Sequence, residues 1–191
     1  MDRAIAALKE KYPDREIRTF DTKSISLGAG FQVRLAAEKY NAGATMDELD
    51  AFLEEVRDHT VVYFVVDDLV YLKRGGRISA LTAAFGKMLG IKPMISVMPD
   101  GSLQSVGKVK GSKRVFAEFV RIMREHKCNV KDYRIEVLQA DCPETGDAFV
   151  QTLRQEFGED IKVDYQVVGP VIAAHCGPGT LGLIFYGDKQ A

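Results

Sequence analysis

The sequence predicts an α/β fold, with a partial N-terminal α/β unit followed by a two-layer α/β domain whose sheet is largely antiparallel. Three observations predict it. Apolar residues recur at helical spacing in several segments, as in Leu49, Phe52, Leu53 and Val56. Apolar, β-branched runs such as Thr60 to Val66 lie between those segments. Tight turns such as Pro99-Asp100-Gly101 favour hairpin pairing of the strands beside them.

The elements follow in order. Residues 3–11 read as a helix, and Pro13-Asp14 turns the chain. Glu16 to Phe20 reads as a short strand. A polar, glycine-containing turn from Thr22 to Gly30 leads to a helix over Phe31 to Tyr40, stopped by Asn41 and Gly43. Thr45-x-x-Glu48 is a capping box that opens the next helix. After the strand at Thr60–Val66 comes a basic glycine loop, Leu72 to Ile78. Leu81, Ala84, Phe85, Met88 and Leu89 then mark a helix. Lys92–Met98 and Leu103–Val109 read as a hairpin. A helix carries Val115, Phe119, Ile122 and Met123, and Tyr133–Gln139 is a strand. Pro143 suits the first turn of a helix bearing Phe149, Leu153 and Phe157. Ile161–Val168 reads as a strand that Gly169-Pro170 interrupts and Val171–Ala174 resumes. Leu181–Tyr186 closes the sheet.

This order divides the chain near residue 60. Residues 1–60 hold one strand and three helices, and one strand cannot make a sheet, so they read as the remnant of an N-terminal α/β domain. Residues 61–191 hold about six strands and three helices, enough for a two-layer α/β domain.

Composition narrows the function. The chain of 191 residues is 46% hydrophobic and 28% charged, with a formal net charge of −1. That balance gives no bulk attraction to nucleic acid or to an anionic membrane, and no apolar run has the length of a membrane span. Three cysteines, Cys128, Cys142 and Cys176, are odd in number and widely spaced. They point to a reducing compartment, so a cytoplasmic location is expected. His59, His126 and His175 lie far apart, and no metal or cofactor site is expected from their spacing.

Four segments could carry chemistry. Ser24 to Gly30 contains Gly28 and Gly30 ahead of a helix, where free amides attract anions; the plainer reading is a connecting loop. Lys73-Arg74-Gly75-Gly76-Arg77 offers guanidinium groups suited to a carboxylate or phosphate, against a solvated basic turn. Arg77 adjoins an apolar helix and is the more interesting arginine. Gly107 to Arg114 carries four basic residues, and Lys110 is its candidate cation, although a charge run is usually a solvated face. His175-Cys176-Gly177-Pro178-Gly179 places a histidine at the end of an apolar strand, where it could meet an anionic head group or simply be a satisfied strand-end residue. A His175–Cys176 catalytic pair is disfavoured, because adjacent strand residues point to opposite faces. Leu81, Phe85, Leu89, Met94 and Ile95 are core residues first, and candidates for lining an apolar tunnel second.

Together these segments resemble the DegV family of fatty-acid-binding proteins. Asp21-Thr22 with Ser26-Leu27-Gly28-Ala29-Gly30 looks like the family's D-S … S-x-G-x-G element. Leu69-Val70-Tyr71-Leu72-Lys73-Arg74-Gly75-Gly76-Arg77-Ile78 resembles its L-x-Y-L-K-x-G-G-R-I signature. Ile91-Lys92-Pro93-Met94 with Asp100-Gly101 is similar to its next strand and turn, and His175-x-Gly177-Pro178-Gly179 to its H-x-G-P-G turn. The resemblance runs from about Ile17 to Tyr186. It departs from the pattern at Thr22, at Gln139-Ala140, and at the front, where the family's first α/β stretch and its T-S-x-P-S loop are not seen.

The resemblance implies a lipid carrier rather than an enzyme with a catalytic residue of its own. It implies a long-chain fatty acid whose carboxylate is presented to a separate fatty acid kinase, in phospholipid precursor metabolism. Arg77 and His175 would hold the head group, with Lys110 near the phosphate or the kinase. Two other readings stand beside it. One is a phosphotransfer enzyme related to dihydroxyacetone kinases, for which no P-loop is present. The other is a fragment with an interaction role only.

Overall fold

The computed structural model describes residues 2–76 and 91–188. Its elements, in order, are α1 (Asp2–Lys11), α2 (Ser26–Asn41), α3 (Met46–His59), β1 (Thr60–Val65), α4 (Leu69–Arg74), β2 (Ile91–Val97), β3 (Leu103–Lys110), α5 (Ser112–Glu125), β4 (Ile135–Ala140), α6 (Pro143–Phe157), β5 (Val163–Val167), α7 (Pro170–Cys176) and β6 (Thr180–Tyr186).

The six strands form one sheet in the order β3-β2-β1-β6-β4-β5. Only β4 and β5 pair in parallel; the other pairs are antiparallel. A parallel pair needs a crossover, and α6 supplies it. The β2–β3 hairpin closes through the turn at Asp100-Gly101, where Gly101 has φ +86°. A bulge interrupts its ladder between Met94 and Ile95.

β1 is largely apolar after Thr60 because both of its faces are covered. Val61 and Val65 face α5 and α6, where Phe116, Phe119 and Phe149 pack with Leu181, Leu183 and Phe185. Val62 faces the other way, with Phe31 and Leu35 of α2 and Val56 of α3. Phe64, Val66 and Ile95 meet Leu72 of α4 and Cys176 of α7 on that same side. The N-terminal helices thus supply part of one layer over the sheet. Polar pairing anchors α2 as well: the Arg34 guanidinium donates to Glu136, a buried carboxylate on β4, and to Asp164 on β5.

Four local expectations are corrected. Glu16–Phe20 forms no strand; among the described residues no strand pairs with it, and Arg18 instead joins Glu16 to Asp47 and Asp50 of α3. The helix expected from Phe31 begins at Ser26, so Gly28 and Gly30 lie within α2 and not in a loop. The basic glycine loop begins as helix: Asp68 accepts from the Val70 amide at 2.8 Å and starts α4, which takes in Leu72, Lys73 and Arg74 and ends in a turn at Gly75-Gly76. Val171–Ala174 is helical, because Pro170 takes the first position of α7, where its missing N–H costs nothing. The capping box at Thr45 forms as expected, with both of its hydrogen bonds present.

Phe149 is fully buried, and its ring lies tilted at 5.2 Å and 5.3 Å from those of Phe116 and Phe119. Phe149→Ala should lower unfolding stability by about 3–5 kcal/mol, read as a drop in the urea midpoint with an unchanged m-value.

Candidate functional site

The strand registers define one end of the sheet. Val65 at the end of β1 pairs with Met94 and Leu181, Ile91 pairs with Lys110, and Ala140 pairs with Thr180. The last residues of β1, β3 and β4 and the first of β2 and β6 therefore gather there. So do the links at those ends, including α4 after β1 and the turn between α7 and β6.

Three glycines hold this end together. A Cβ on Gly75 would lie 3.0 Å from Cε1 and 3.3 Å from Cγ of His175. A Cβ on Gly177 would lie 2.6 Å from Cγ of Tyr71, and one on Gly179 would lie 3.0 Å from Cβ of Asp67. His175 on α7 thus rests on the backbone after α4, while Tyr71 on α4 rests on the backbone after α7. Asp67 also pairs with Lys92 of β2. Thr180 Oγ1 donates to the carbonyls of Cys176 and Gly177, at 3.1 Å and 2.8 Å, and the Gly179 amide donates to Ala140 at 2.8 Å. Nδ1 of His175 is shielded from solvent and has no hydrogen-bond partner among the described residues.

Beside this end lies a groove of about 570 Å³ between the edge strand β3 and α5. Ile91, Met94, Val109 and Ala117 give it apolar walls, and Lys108, Lys110, Arg114 and the Glu118–Arg121 ion pair also line it. Its size falls in the range of small-molecule sites. Lys113 and Arg114, in the first turn of α5, are exposed next to Lys110.

A second, smaller cavity of about 100 Å³ lies at the opposite end, lined by Thr22, Ser24, Gln32, Thr60, Val97 and Pro99. Gln32 is 1% exposed and its Nε2 donates to the Thr22 carbonyl at 3.0 Å; its Oε1 and Ser24 Oγ have no hydrogen-bond partner among the described residues. This cavity has room for about three water molecules.

The sequence-predicted residues therefore separate. Lys110 and Met94 meet in the groove, and His175 sits at the same end of the sheet. Ile95 follows Met94 in the strand and points to the opposite face, packed in the cluster with Leu72 and Cys176. Gly28 is buried against Ser24 and Val62 near the opposite end, and Gly30 is exposed. The structure does not bring these two glycines to His175. Arg77, Leu81, Phe85 and Leu89 lie outside the described residues. Tyr71, Asp67 and Lys92 were missed. Tyr71 and Lys92 carried a signal only as members of the Leu69–Ile78 and Ile91–Met94 motifs; Asp67 carried none.

The thiols are unsuited to nucleophilic work. Burial pushes the Cys128 thiol up to about 12 and raises those of Cys142 and Cys176. His175 and Cys176 are successive helical residues, and Cys176 is buried. Among the described residues no group of three or more His, Cys, Asp or Glu side chains is placed to hold a metal, and no helix is long and apolar enough to cross a membrane.

Residues 3–188 match the family model described as an uncharacterised protein of the DegV family. The chain belongs to the DegV family. A DegV domain-containing protein of Clostridium perfringens is 38% identical over 184 residues, 96% of this chain and 62% of that protein. The chain thus spans about 62% of that relative's length. A Thermus thermophilus DegV family protein, described for its fatty acid binding, is 31% identical with a TM-score of 0.79, covering 93% of this chain and 63% of that one. A DegV family protein from Eubacterium eligens, loaded with heptadecanoic acid, shares the fold at a TM-score of 0.86 and 17% identity, covering 97% and 66%.

Because burial disfavours the thiolate, iodoacetamide at pH 7.5 should modify the native chain at least about tenfold more slowly than the urea-unfolded chain. Equal rates, followed by mass spectrometry, would show that a thiol is accessible and ionisable.

Proposed function

We propose that this DegV chain binds a long-chain fatty acid, with the carboxylate at the α4–α7 end of the sheet and the acyl chain against apolar residues beside it. The observation that carries this reading is the groove on the α5 face of the sheet, apolar along Ile91, Met94 and Val109 and carrying Lys110 and Arg114, at the same end of the sheet as the turn that holds His175. An anionic amphiphile matches both parts. Each buried methylene contributes about 0.8 kcal/mol, so a long tail supplies most of the affinity. A carboxylate removed from water needs hydrogen-bonding partners, and Arg77 and His175 are assigned that role. Leu81, Phe85, Leu89 and Met94 are assigned to the tail. The fatty-acid-binding Thermus thermophilus relative supports the same reading.

The protein would then act as a carrier that presents the carboxylate to a separate fatty acid kinase in the cytoplasm. The exposed cations Lys110, Lys113 and Arg114 support this step, because they flank the groove on a strand-to-helix turn that a partner can reach.

The test is native mass spectrometry of the chain purified from cells, paired with thermal melts in palmitate. A bound fatty acid and a midpoint that climbs with palmitate concentration are expected, since a ligand of the native state adds about 2.7 kcal/mol at a hundredfold excess over Kd. A clean apo spectrum with an unmoved midpoint would overturn the reading. His175→Ala should weaken palmitate binding about tenfold, or about 1.5 kcal/mol, and Arg77→Ala about a hundredfold, the range for losing hydrogen bonds to a charged group. Isothermal titration distinguishes these losses from unfolding.

A further inference from the structure

We propose that Tyr71 is a positioning residue for His175, acting through a reciprocal packing lock between α4 and α7; its effect on ligand rests on the fatty-acid reading above. Each helix lays one ring on a glycine that follows the other helix. The His175 ring covers Gly75, and the Tyr71 ring covers Gly177.

The backbone at Gly75 shows that sterics, and not conformation, demand a glycine there. Gly75 has φ −76° and ψ −2°, ordinary helical values that any residue adopts. Its amide closes α4 by donating to the Tyr71 carbonyl at 2.9 Å, which alanine would do equally well. What alanine cannot do is share space with the imidazole. Gly177 differs, because its φ of +80° favours glycine in addition to the close approach of Tyr71.

The lock is pinned on both sides. Asp68 caps the start of α4, and neighbouring Asp67 packs over Gly179 while pairing with Lys92. Thr180 ties the turn after α7 to the end of that helix. Tyr71 against Gly177 sets how closely α7 approaches α4, and the His175 ring then seats with Nδ1 buried toward Gly75. The Tyr71 contact is made by ring carbons, so shape and not the hydroxyl performs it.

A mutant cycle tests the lock without ligand. Gly75→Ala should lower the thermal midpoint in the wild-type background and leave it unchanged or raised in the His175→Ala background, because alanine favours helix once the ring is gone. An equal fall in both backgrounds would overturn the proposal. Tyr71→Ala should shift or broaden the His175 imidazole resonances in a 1H–15N spectrum and weaken palmitate binding about tenfold, the loss of one hydrogen bond to a charged group. Tyr71→Phe should do neither. Unaltered imidazole resonances in Tyr71→Ala would also overturn it. If the chain takes up no palmitate, the fatty-acid reading fails, and the lock is still decided by the melting cycle and the imidazole spectrum.

Discussion

The site depends on how closely two short helices approach. α4 and α7 leave room for only a hydrogen atom on Cα at Gly75, Gly177 and Gly179, where His175, Tyr71 and Asp67 press in. Packed interiors do not yield continuously to an added methyl group, so these contacts fix the spacing of the two helices. Two motifs separated by about a hundred residues of chain thereby become one surface. Neither α4 with six residues nor α7 with seven would be stable alone, and each is held by the other and by the sheet beneath.

The sheet sets where that surface lies. Antiparallel pairing of β1 with both β2 and β6 brings the end of one strand beside the starts of two others. Asp67, Lys92 and the turn at Gly179 meet there because the register leaves them no other place. The Asp67–Lys92 pair then connects the glycine lock to the first residues of β2, which wall the groove. Helices on both faces keep the central strands β1, β4 and β6 dry. The Arg34 contacts to Glu136 and Asp164 anchor α2 across the layer boundary, where a lone buried carboxylate would be costly.

Much of the fold was legible in the sequence because periodicity reports burial directly. The alternation of helix and strand signals, the capping box at Thr45 and the turn at Asp100-Gly101 all rest on local chemistry. Val171–Ala174 misled because a short apolar run is the same in a buried helix and a buried strand; Pro170 was the better guide. Glu16–Phe20 misled because strand propensity needs a neighbour, and sequence does not say whether one exists. At the candidate site, His175, Lys110 and Met94 were recognisable as residue types. Ile95 was grouped with Met94 although alternation along a strand sends the two to opposite faces. The partners of His175 were not legible, since a steric lock between glycines leaves no mark in charge or periodicity.

The most direct measurement is a palmitate titration of isotope-labelled chain, followed by backbone amide and methionine methyl resonances. Shifts concentrated at Ile91–Met94, Lys108–Arg114 and His175–Gly179, together with the Met94 methyl, are the expected result. Shifts confined to Thr22–Gln32 at the other end of the sheet, or none at all, would contradict a fatty acid seated at the α4–α7 end.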